Sequence, residues 1–460
     1  MDKESFQKKE IAILRKAVDA AELQIHKKLL NSEIIGNIIN IVEEFIRKRQ
    51  VICYGGTAIN NILPKDDQFY NYDIEMPDYD FFSDNALNDA KNLADIYFKK
   101  GYEDVEAKAG IHEGTFKVFV NYIPVADITQ LNKNIFNAIK KDSIKINDIL
   151  YAPPNYLRMS MYLELSRPAG DVSRWEKILK RLILLNKHYP IKGIKCNSQT
   201  IQREFEGKKN ISKKAYDIVR NSFINQGLVF FGGYANSLYS KYMPRNAKKI
   251  IKEIPDFDVL SENPAYSAQI TKERLIDANI NNVKIFKTAG IGEIIAPHYE
   301  ITIDGDTIAF IYEPLACHSY NIIKINNKNL KIASIDTMLS FYLAFIYADR
   351  PYYDTDRLLC MSQYLFKVQQ KNRLQQKGLL RRFSISCYGD QTTLESMRQE
   401  KTEKFEELKN KKNSREYEEW FLKYTPDKKK TTQEPKKGTQ KKQKKQKRRK
   451  GKTNRVFSWK

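Results

Sequence analysis

The chain repeats several short sequence patterns in the same order, and this duplication constrains its fold more than any other feature. One apolar stretch runs into Gly55-Gly56 and another into Gly232-Gly233, and "MPDYDFF" (76–82) returns as "IPDFDVL" (254–260). "IKIN" recurs and "MYL" returns as "FYL", so that the offset stays between 177 and 180 residues throughout. Ordered matches at a nearly constant offset are typical of a duplicated domain. We therefore predict two tandem domains of the same fold.

Length and composition agree with this prediction. The chain has 460 residues, of which 42% are hydrophobic, and about 100–200 residues per domain is usual. No stretch of about 18 apolar residues is present, which predicts that no helix spans a membrane, and the first residues lack the apolar region of a signal peptide.

The five cysteines are scattered, without a C-x-x-C pair. We therefore expect a reducing compartment, no disulfide framework and no zinc site.

The net charge of +23 indicates a polyanionic partner or an anionic surface. Between Lys428 and Arg455 there are 15 lysines and arginines and a single acid, Glu434. We expect this Lys/Gln-rich tail to be disordered. Three roles stay open for it: contact with RNA phosphates, a localisation or packaging tag, and a solubility tail.

Two acids and a third one further along the chain form the best candidate for a chemical site. Asp78 and Asp80 flank Tyr79 on a predicted strand, where alternation places both side chains on one face, with their backbones about 7 Å apart. Asp127 ends "IPVAD" in a predicted hairpin, among apolar neighbours where an ionised carboxylate is costly without a metal or partner. Carboxylate oxygens suit Mg²⁺, and two such ions about 4 Å apart activate a hydroxyl and neutralise a leaving pyrophosphate.

The glycines suggest how a phosphate would be held. A turn from strand to helix at Gly55-Gly56 has no Cβ, which lets backbone amides approach a phosphate. The start of the following helix adds a favourable dipole, and Thr57 adds a hydroxyl donor. No G-K-[ST] follows, so this is not a P-loop.

The order of these parts resembles the DNA polymerase β-like nucleotidyltransferase superfamily. That order is a strand, Gly-Gly-Thr, a short helix, D-x-D on a strand and then an Asp on a further strand. More narrowly, "YGGTAIN", "MPDYDFFS" and "VADIT" are similar to the catalytic subunit of viral poly(A) polymerases from poxviruses and mimivirus-like giant viruses. The motifs are sharp from residue 50 to 190 and blurred through the second copy to residue 390.

The resemblance implies an α+β fold of two tandem nucleotidyltransferase-like mixed-sheet domains, with helical flanks and the disordered basic tail. The expected parts are an N-terminal helical region (1–50), a catalytic domain (51–190), a connecting segment (191–225), a degenerate domain (226–390), a charged helical segment (391–425) and the tail (426–460).

The resemblance also implies the reactants and the site. ATP would be the substrate, Mg²⁺ or Mn²⁺ the cofactor and an RNA 3′ end the acceptor. The three aspartates, Asp78, Asp80 and Asp127, would be the catalytic metal ligands, with Asp127 nearest the attacking 3′-hydroxyl. Gly55-Gly56-Thr57 would hold the triphosphate. Other cations near the motifs that are candidates for phosphate contact are Lys117, Lys145 and Arg158.

The second copy departs from the family pattern. It keeps Asp256 and Asp258, but Tyr234 stands where the first copy has Thr57. One alignment places Cys317 where Asp127 stands, and another places Ile311 there. Neither side chain is a good ligand for Mg²⁺. We therefore expect a catalytically inactive domain that serves as an RNA platform or an assembly surface.

The leading hypothesis is a template-independent polynucleotide adenylyltransferase, a poly(A) polymerase that acts in mRNA polyadenylation by a two-metal mechanism. Alternatives are another nucleotidyltransferase, such as an oligoadenylate or cyclic-oligonucleotide synthase, and a non-catalytic RNA-binding scaffold. Expected partners are RNA and either a processivity subunit or a second copy of the chain, with no membrane. The resemblance implies the host cytoplasm, in a viral factory, as the location, and the virion as a further one.

Overall fold

The computed structural model describes residues 10–18, 21, 33–70, 77–196, 212–242, 256–292, 294–325 and 327–427. The N-terminal region (1–50) was predicted to be helical, and its described residues form helices over 10–18 and 33–49. Ser32 precedes an apolar helical repeat, which makes it a candidate N-cap, but it lies outside the described residues. The predicted disordered tail lies outside them from Lys428 onwards.

The first unit is an eight-stranded mixed sheet with helices. Its helices are α1 (Glu33–Arg49), α2 (Gly55–Ile62), α3 (Ala86–Lys99), α4 (Lys133–Lys141), α5 (Pro154–Leu165) and α6 (Trp175–His188). Its strands are β1 (Ile52–Cys53), β2 (Asp80–Ser83), β3 (Val105–Ala109), β4 (Thr115–Val120), β5 (Ile123–Gln130), β6 (Ile144–Ile146), β7 (Ile149–Tyr151) and, from the C-terminal region, β16 (Lys423–Tyr424). The strand order is β16-β3-β4-β5-β2-β1-β7-β6.

The second unit is a second eight-stranded mixed sheet. Its helices are α7 (Lys213–Asn225), α8 (Gly232–Tyr239), α9 (Pro264–Asp277), α10 (Ile335–Phe345) and α11 (Thr355–Asn372). Its strands are β8 (Val229–Phe231), β9 (Phe257–Leu260), β10 (Val283–Thr288), β11 (His298–Ile303), β12 (Asp306–Tyr312), β13 (His318–Ile325), β14 (Lys328–Ala333) and β15 (Cys387–Tyr388). The strand order is β10-β11-β12-β9-β8-β14-β13-β15.

The two sheets share one topology. Strands β3-β4-β5-β2-β1-β7-β6 of the first correspond in order to β10-β11-β12-β9-β8-β14-β13 of the second. The directions also agree, because β2 is parallel to β5 and antiparallel to β1, as β9 is to β12 and β8. Each sheet adds one further strand, β16 or β15, at opposite ends of this order. The predicted α+β architecture with a repeated mixed sheet is confirmed, while the predicted domain boundaries stay a prediction.

The local signals in the sequence explain several turns. The predicted hairpin between β4 and β5 turns at Asn121 and Tyr122, which both have positive φ. A turn around Gly305 joins β11 to β12, with a φ of 93° at the glycine. Asp354 caps α11, where its side chain accepts from the backbone N of Arg357 at 2.6 Å.

The two units pack directly against each other. Helix α5 of the first lies along α10 of the second, and the backbone N of Ser319 donates to the carbonyl of Ser166 at 2.8 Å. Rings also meet across this contact, with Tyr156 and Tyr347 5.3 Å apart. Buried residues of both units belong to one continuous apolar core, so the units support each other by burial of shared apolar surface.

The predicted charged helical segment returns to the first unit. It forms α12 (Leu394–Leu408) and α13 (Arg415–Phe421) before β16, which pairs with β3. Lys91 contacts Glu418 at 2.6 Å, and the hydroxyl of Tyr424 donates to Asp95 at 2.7 Å. The chain after the second unit therefore completes the first sheet.

The expectation of no disulfides is wrong. The fold joins Cys196 to Cys360 and Cys317 to Cys387, and leaves Cys53 buried and free. The partners are 164 and 70 residues apart. Sequence spacing carries no signal for pairs so far apart, because only the tertiary fold brings them together.

Among the described residues, no helix combines the length and apolar character needed to cross a membrane.

Candidate active site

A glycine elbow connects β1 to α2, as predicted. Gly55 begins α2 with a φ of 71°, a backbone conformation that side chains with a Cβ rarely adopt. A Cβ at this position would lie 2.6 Å from Oδ2 of Asp80. The glycine is therefore required twice, for its backbone conformation and for the close approach of a carboxylate.

The fold brings the three predicted aspartates to one place. Asp80 lies directly opposite Asp127 where β2 pairs with β5 in parallel, and paired strands are about 4.8 Å apart. The backbone N of Asp127 donates to the carbonyl of Tyr79 at 3.0 Å. Asp78 precedes β2, and its carbonyl accepts from the hydroxyl of Thr57 at 2.7 Å. The elbow and the acids are thus held together by hydrogen bonds of the chain itself.

The contact of Thr57 bears on its predicted role. Its side chain is buried, with 3% of its surface exposed, and its hydroxyl proton is used by the Asp78 carbonyl. In this arrangement Thr57 positions the first aspartate. Contact between Thr57 and a triphosphate stays a prediction.

Two of the three carboxylates, those of Asp78 and Asp80, have raised pKa values. Burial, followed by repulsion from Asp78 and Asp127, raises the pKa of Asp80 to about 7. Asp78 is exposed as a residue, but desolvation of its carboxylate and the charge of Asp127 raise its pKa. Lys117 opposes both shifts. Clustered carboxylates that favour protonation are typical of sites that bind a cation or perform chemistry.

Lys117 is placed by sheet register. It lies directly opposite Asp127 where β4 pairs with β5, and its ammonium donates to Oδ2 of Asp127. The structure pairs Lys117 with a catalytic candidate, and its contact with a phosphate stays a prediction. An ammonium on this carboxylate orients it and partly offsets the repulsion among the three acids.

The donor set fits a divalent cation. Hard carboxylate oxygens are the ligands that Mg²⁺ uses, and an added cation would relieve the mutual repulsion that raises the pKa of Asp80. Within the parts of the chain that the structure describes, no three acidic, His or Cys side chains are already arranged as a metal cluster. Metal ligation by the three aspartates therefore stays a prediction.

Arg181, which no sequence pattern indicates, lies beside the elbow. A Cβ on Gly56 would come within 2.8 Å of Nη1 of Arg181 and would collide with the hydroxyl of Tyr70. Nη2 of Arg181 donates to Tyr70 at 2.7 Å, and its guanidinium lies 4.6 Å from the centre of the Phe69 ring. Helix α6 thus presents a planar cation next to the amides expected to meet a phosphate. No sequence signal pairs residue 181 with residue 56, because the contact is purely tertiary.

Arg174 is a second cation that sequence analysis missed. It lies close enough to Asp80 to lower the pKa of that carboxyl, against the larger effect of burial, and it contacts Glu164 at 3.7 Å.

The two other predicted cations do not join the site. Arg158 is fully buried, and its guanidinium donates to Asn186 at 2.7 Å, to Asn155 and to the carbonyl of Tyr189. Burial lowers its pKa to about 10. Lys145 pairs with Asp148 at 2.8 Å on the surface. Arg158 is thus a structural residue.

The second unit keeps the elbow and loses the third acid. Gly232 has a φ of 64° and stands against the carboxylate of Asp258, as Gly55 stands against Asp80. Sheet register places Phe310 opposite Asp258, in the position that Asp127 has in the first unit. Glu300 lies opposite Phe310, where the first unit has Lys117.

Both proposed counterparts of Asp127 are therefore wrong. Ile311 lies one position along β12, where it pairs with Val259, and Cys317 follows β12 and is bonded to Cys387. The alignments failed because motif spacing cannot fix a strand register to one residue. The expectation of an incomplete second site agrees with this register, since phenylalanine has no ligand atom.

Comparison with known proteins supports the same interpretation. Residues 40–171 match the family model of the poly(A) polymerase catalytic subunit. A protein of Acanthamoeba polyphaga mimivirus that carries the name poly(A) polymerase catalytic subunit is 31% identical over 212 residues, which are 45% of this chain and 35% of the relative. A protein of African swine fever virus with the same name is 30% identical over 256 residues, 54% of this chain and 50% of the relative.

The chain thus spans between 35% and 50% of the length of these two relatives. Among solved structures, the Megavirus polyadenylate synthase superposes with a TM-score of 0.78 at 20% identity, over 95% of this chain and 88% of that chain. The resemblance seen in the sequence is confirmed: residues 40–171 match the poly(A) polymerase catalytic subunit family, and the chain shares the fold of a viral polyadenylate synthase.

Proposed function

We propose that this chain is a template-independent RNA adenylyltransferase that adds AMP from ATP to RNA 3′ ends. The observation that carries the proposal is the register of β2 against β5, which sets Asp80 directly opposite Asp127 beside the glycine elbow. The matches to viral poly(A) polymerase catalytic subunits over part of the chain support it.

The reaction joins the RNA 3′-oxygen to the α-phosphorus of ATP and breaks the bond between that phosphorus and the bridging oxygen. The 3′-hydroxyl loses its proton, and pyrophosphate leaves. Divalent cations held by Asp78, Asp80 and Asp127 would activate the hydroxyl and neutralise the leaving group. Lys117 orients the carboxylate of Asp127, which we assign to the side of the attacking hydroxyl. Gly55-Gly56 would offer backbone amides to the triphosphate.

The same proposal covers the substrates of the chain and its protein partner. RNA and ATP are the substrates, and either a second copy of this chain or a separate processivity subunit is the partner. Sedimentation of the full chain with and without oligo(A) distinguishes self-association from a need for another subunit.

A primer-extension assay tests the activity. The purified full chain is incubated with a labelled oligo(A) primer, each NTP in turn, and Mg²⁺ or Mn²⁺. We expect a ladder of 3′ additions with ATP. Asp80→Ala should reduce the rate by more than the roughly 10–100-fold typical of losing an outer-shell partner of a metal. Asp258→Ala, at the corresponding position of the second unit, is the matched control and should extend normally.

Two results would replace the proposal. Short oligoadenylates made without the primer would indicate a synthase of free or cyclic oligonucleotides. RNA binding without any product, under both metals, would indicate a scaffold. Equal loss of activity in both variants would contradict the assignment of the first unit as the active one.

A further inference from the structure

The second unit carries a run of cations that no acid accompanies. Residues 357–389 contain seven lysines and arginines and no aspartate or glutamate, although acids make up 56 of the 460 residues of the chain. Six of the seven cations lie between residues 367 and 382, at the end of α11 and in the turn that follows it. We call residues 367–382 the basic segment.

Most charges of the basic segment have no counter-charge. Five of its side chains are exposed, namely Lys367, Lys371, Arg373, Lys377 and Arg381. None of these five forms an ion pair with a described residue, whereas Arg382 is paired with the buried carboxylate of Asp336 at 2.9 Å. Exposed charges of one sign that are not neutralised within the fold attract a partner that carries many charges of the other sign.

The main chain of the basic segment is held in place, although its charged side chains are exposed. Leu379 and Leu380 are buried in a short 3-10 turn. The amide of Asn321 on β13 donates to the carbonyl of Leu379 at 3.4 Å and to the carbonyl of Arg381 at 2.9 Å. The cations therefore stand on a supported backbone, which lowers the entropy that binding a partner would cost.

The basic segment lies beside the first unit, at the start of α6. The ring of Phe383, directly after the segment, has its centre 5.7 Å from the ring of Trp175, the first residue of α6. Arg174 precedes this tryptophan, is exposed, and lies close enough to Asp80 to lower the pKa of that carboxyl. The start of α6 thus connects the neighbourhood of the three aspartates to the basic segment.

We propose that the basic segment binds phosphates of the RNA upstream of its 3′ end, while that end occupies the active site of the first unit. Single-stranded RNA presents a row of phosphates, and binding it without sequence preference requires exposed cations with apolar surface for the bases. Leu374, with 91% of its surface exposed, and the rings of Phe383 and Trp175 offer such surface. This inference rests on the proposed function and assigns part of the RNA path to the second unit.

Binding of labelled oligo(A) to the full chain in EDTA tests the inference without any chemistry. The oligo(A) is longer than the roughly 4–16 nucleotides that a single-stranded site usually covers. The triple variant Lys371→Gln, Arg373→Gln, Lys377→Gln removes three exposed charges. We expect its affinity to be lower by about tenfold or more. The slope of log K against log salt concentration should become less steep by about 2, because each phosphate contact on a single strand contributes about 0.7.

A second triple variant is the control for net charge. Arg274→Gln, Lys284→Gln, Lys287→Gln removes three exposed cations from α9 and β10. Strand β10 lies at the opposite end of the second sheet from β13, on which the basic segment packs. The control should keep the affinity and the salt slope of the wild-type chain. Thermal unfolding shows that both variants are folded.

Primer extension separates this inference from the proposed function. The variant of the basic segment should raise KM for the long oligo(A) by about tenfold or more, as its affinity falls. It should leave kcat and the extension of a trinucleotide primer unchanged, because a trinucleotide is too short to leave the active site.

Three results would overturn the inference. They are wild-type RNA affinity in the variant of the basic segment, an equal loss of affinity in both triple variants, and no binding of oligo(A) to the wild-type chain. The first would leave the exposed cations to another partner, such as an acidic protein. The absence of extension by the wild-type chain, together with RNA binding that depends on the basic segment, would instead contradict the proposed function.

Discussion

At the scale of single residues, the site depends on glycines that allow close approach. Gly55 has positive φ and also leaves room for the carboxylate of Asp80. Gly101 provides a comparison, because its φ is 97° but nothing lies within 4 Å of the position of its Cβ. Substitutions at Gly55 and Gly101 can therefore be compared to separate the effect of backbone strain from the effect of displacing the Asp80 carboxylate.

Gly55→Ala should therefore abolish nucleotide incorporation, whereas Gly101→Ala should only lower stability. Both substitutions force alanine into a left-handed conformation, at about 1–2 kcal/mol. Only the first drives a methyl group into Asp80. Thermal unfolding and incorporation of labelled AMP measure the two effects. Similar incorporation by the two variants would show that the position of Asp80 is not critical.

Arg181 should contribute to ATP binding because it stands beside Gly56. Arg181→Ala should raise KM for ATP about tenfold or more, the size of a lost charge-assisted hydrogen bond, with a smaller change in kcat. Lys180→Ala is the control, since Lys180 is exposed and pairs with Glu176 at 2.6 Å on the same helix. Steady-state kinetics measure both. An unchanged KM in Arg181→Ala would show that the guanidinium serves only Tyr70 and Phe69.

At the scale of secondary-structure elements, α10 carries a buried ion pair close to the contact between the units. Asp336 is buried with 1% of its surface exposed and accepts from Nη2 of Arg382 at 2.9 Å and from Gln369 at 3.0 Å. Removing one partner of a buried pair leaves an uncompensated charge.

Arg382→Ala should therefore lower the free energy of unfolding by about 3–5 kcal/mol. Arg415→Ala removes an exposed partner of Glu419 and should change it by less than about 0.5 kcal/mol. Urea unfolding measures both. A loss below 1 kcal/mol in Arg382→Ala would mean that water reaches Asp336.

His318 begins β13 and should make stability depend on pH. Burial, followed by the charge of Arg167, lowers its pKa to about 3, against about 6.5 in the unfolded chain. Below pH 6.5 the unfolded chain takes up a proton that the folded protein excludes. The stability that depends on the neutral form of His318 is therefore fully present above pH 6.5. Below that pH it falls by about 1.4 kcal/mol per pH unit until the folded pKa is reached.

Comparing His318→Asn with wild type measures the pH-dependent contribution of His318 to the free energy of unfolding. The free energy of unfolding should fall less steeply between pH 6.5 and 4.5 in the variant, by about one proton. His112→Asn, at an exposed histidine, serves as the control variant. Equal slopes in all three proteins would show that His318 is protonated in the folded state.

At the scale of the whole molecule, the sequence predicted the repeat, the elbow and the three acids. These parts depend on local patterns: an apolar strand before Gly-Gly, alternation around Tyr79 and a hairpin turning at Asn121. Their order within each copy was enough to indicate the sheet that joins them. The confirmed topology shows that a domain duplication can be recognised in the sequence where each copy keeps its turns.

What the sequence could not predict depends on contacts between distant segments. Phe310 takes the place of the third acid through a strand register, Arg181 meets Gly56 across more than a hundred residues, and the two disulfides join cysteines without a local motif. The return of β16 to the first sheet is likewise set by tertiary packing. Periodicity and spacing contain no information on such contacts.

We propose that three aspartates of the first unit hold divalent cations, whereas the second unit has lost the ability to do so. Binding of Mn²⁺ to the full chain, followed by electron paramagnetic resonance, tests it most directly. We expect Asp127→Asn to weaken Mn²⁺ binding strongly and Asp258→Asn to leave it unchanged. Mn²⁺ binding that survives Asp127→Asn, or that depends on Asp258, would contradict the account.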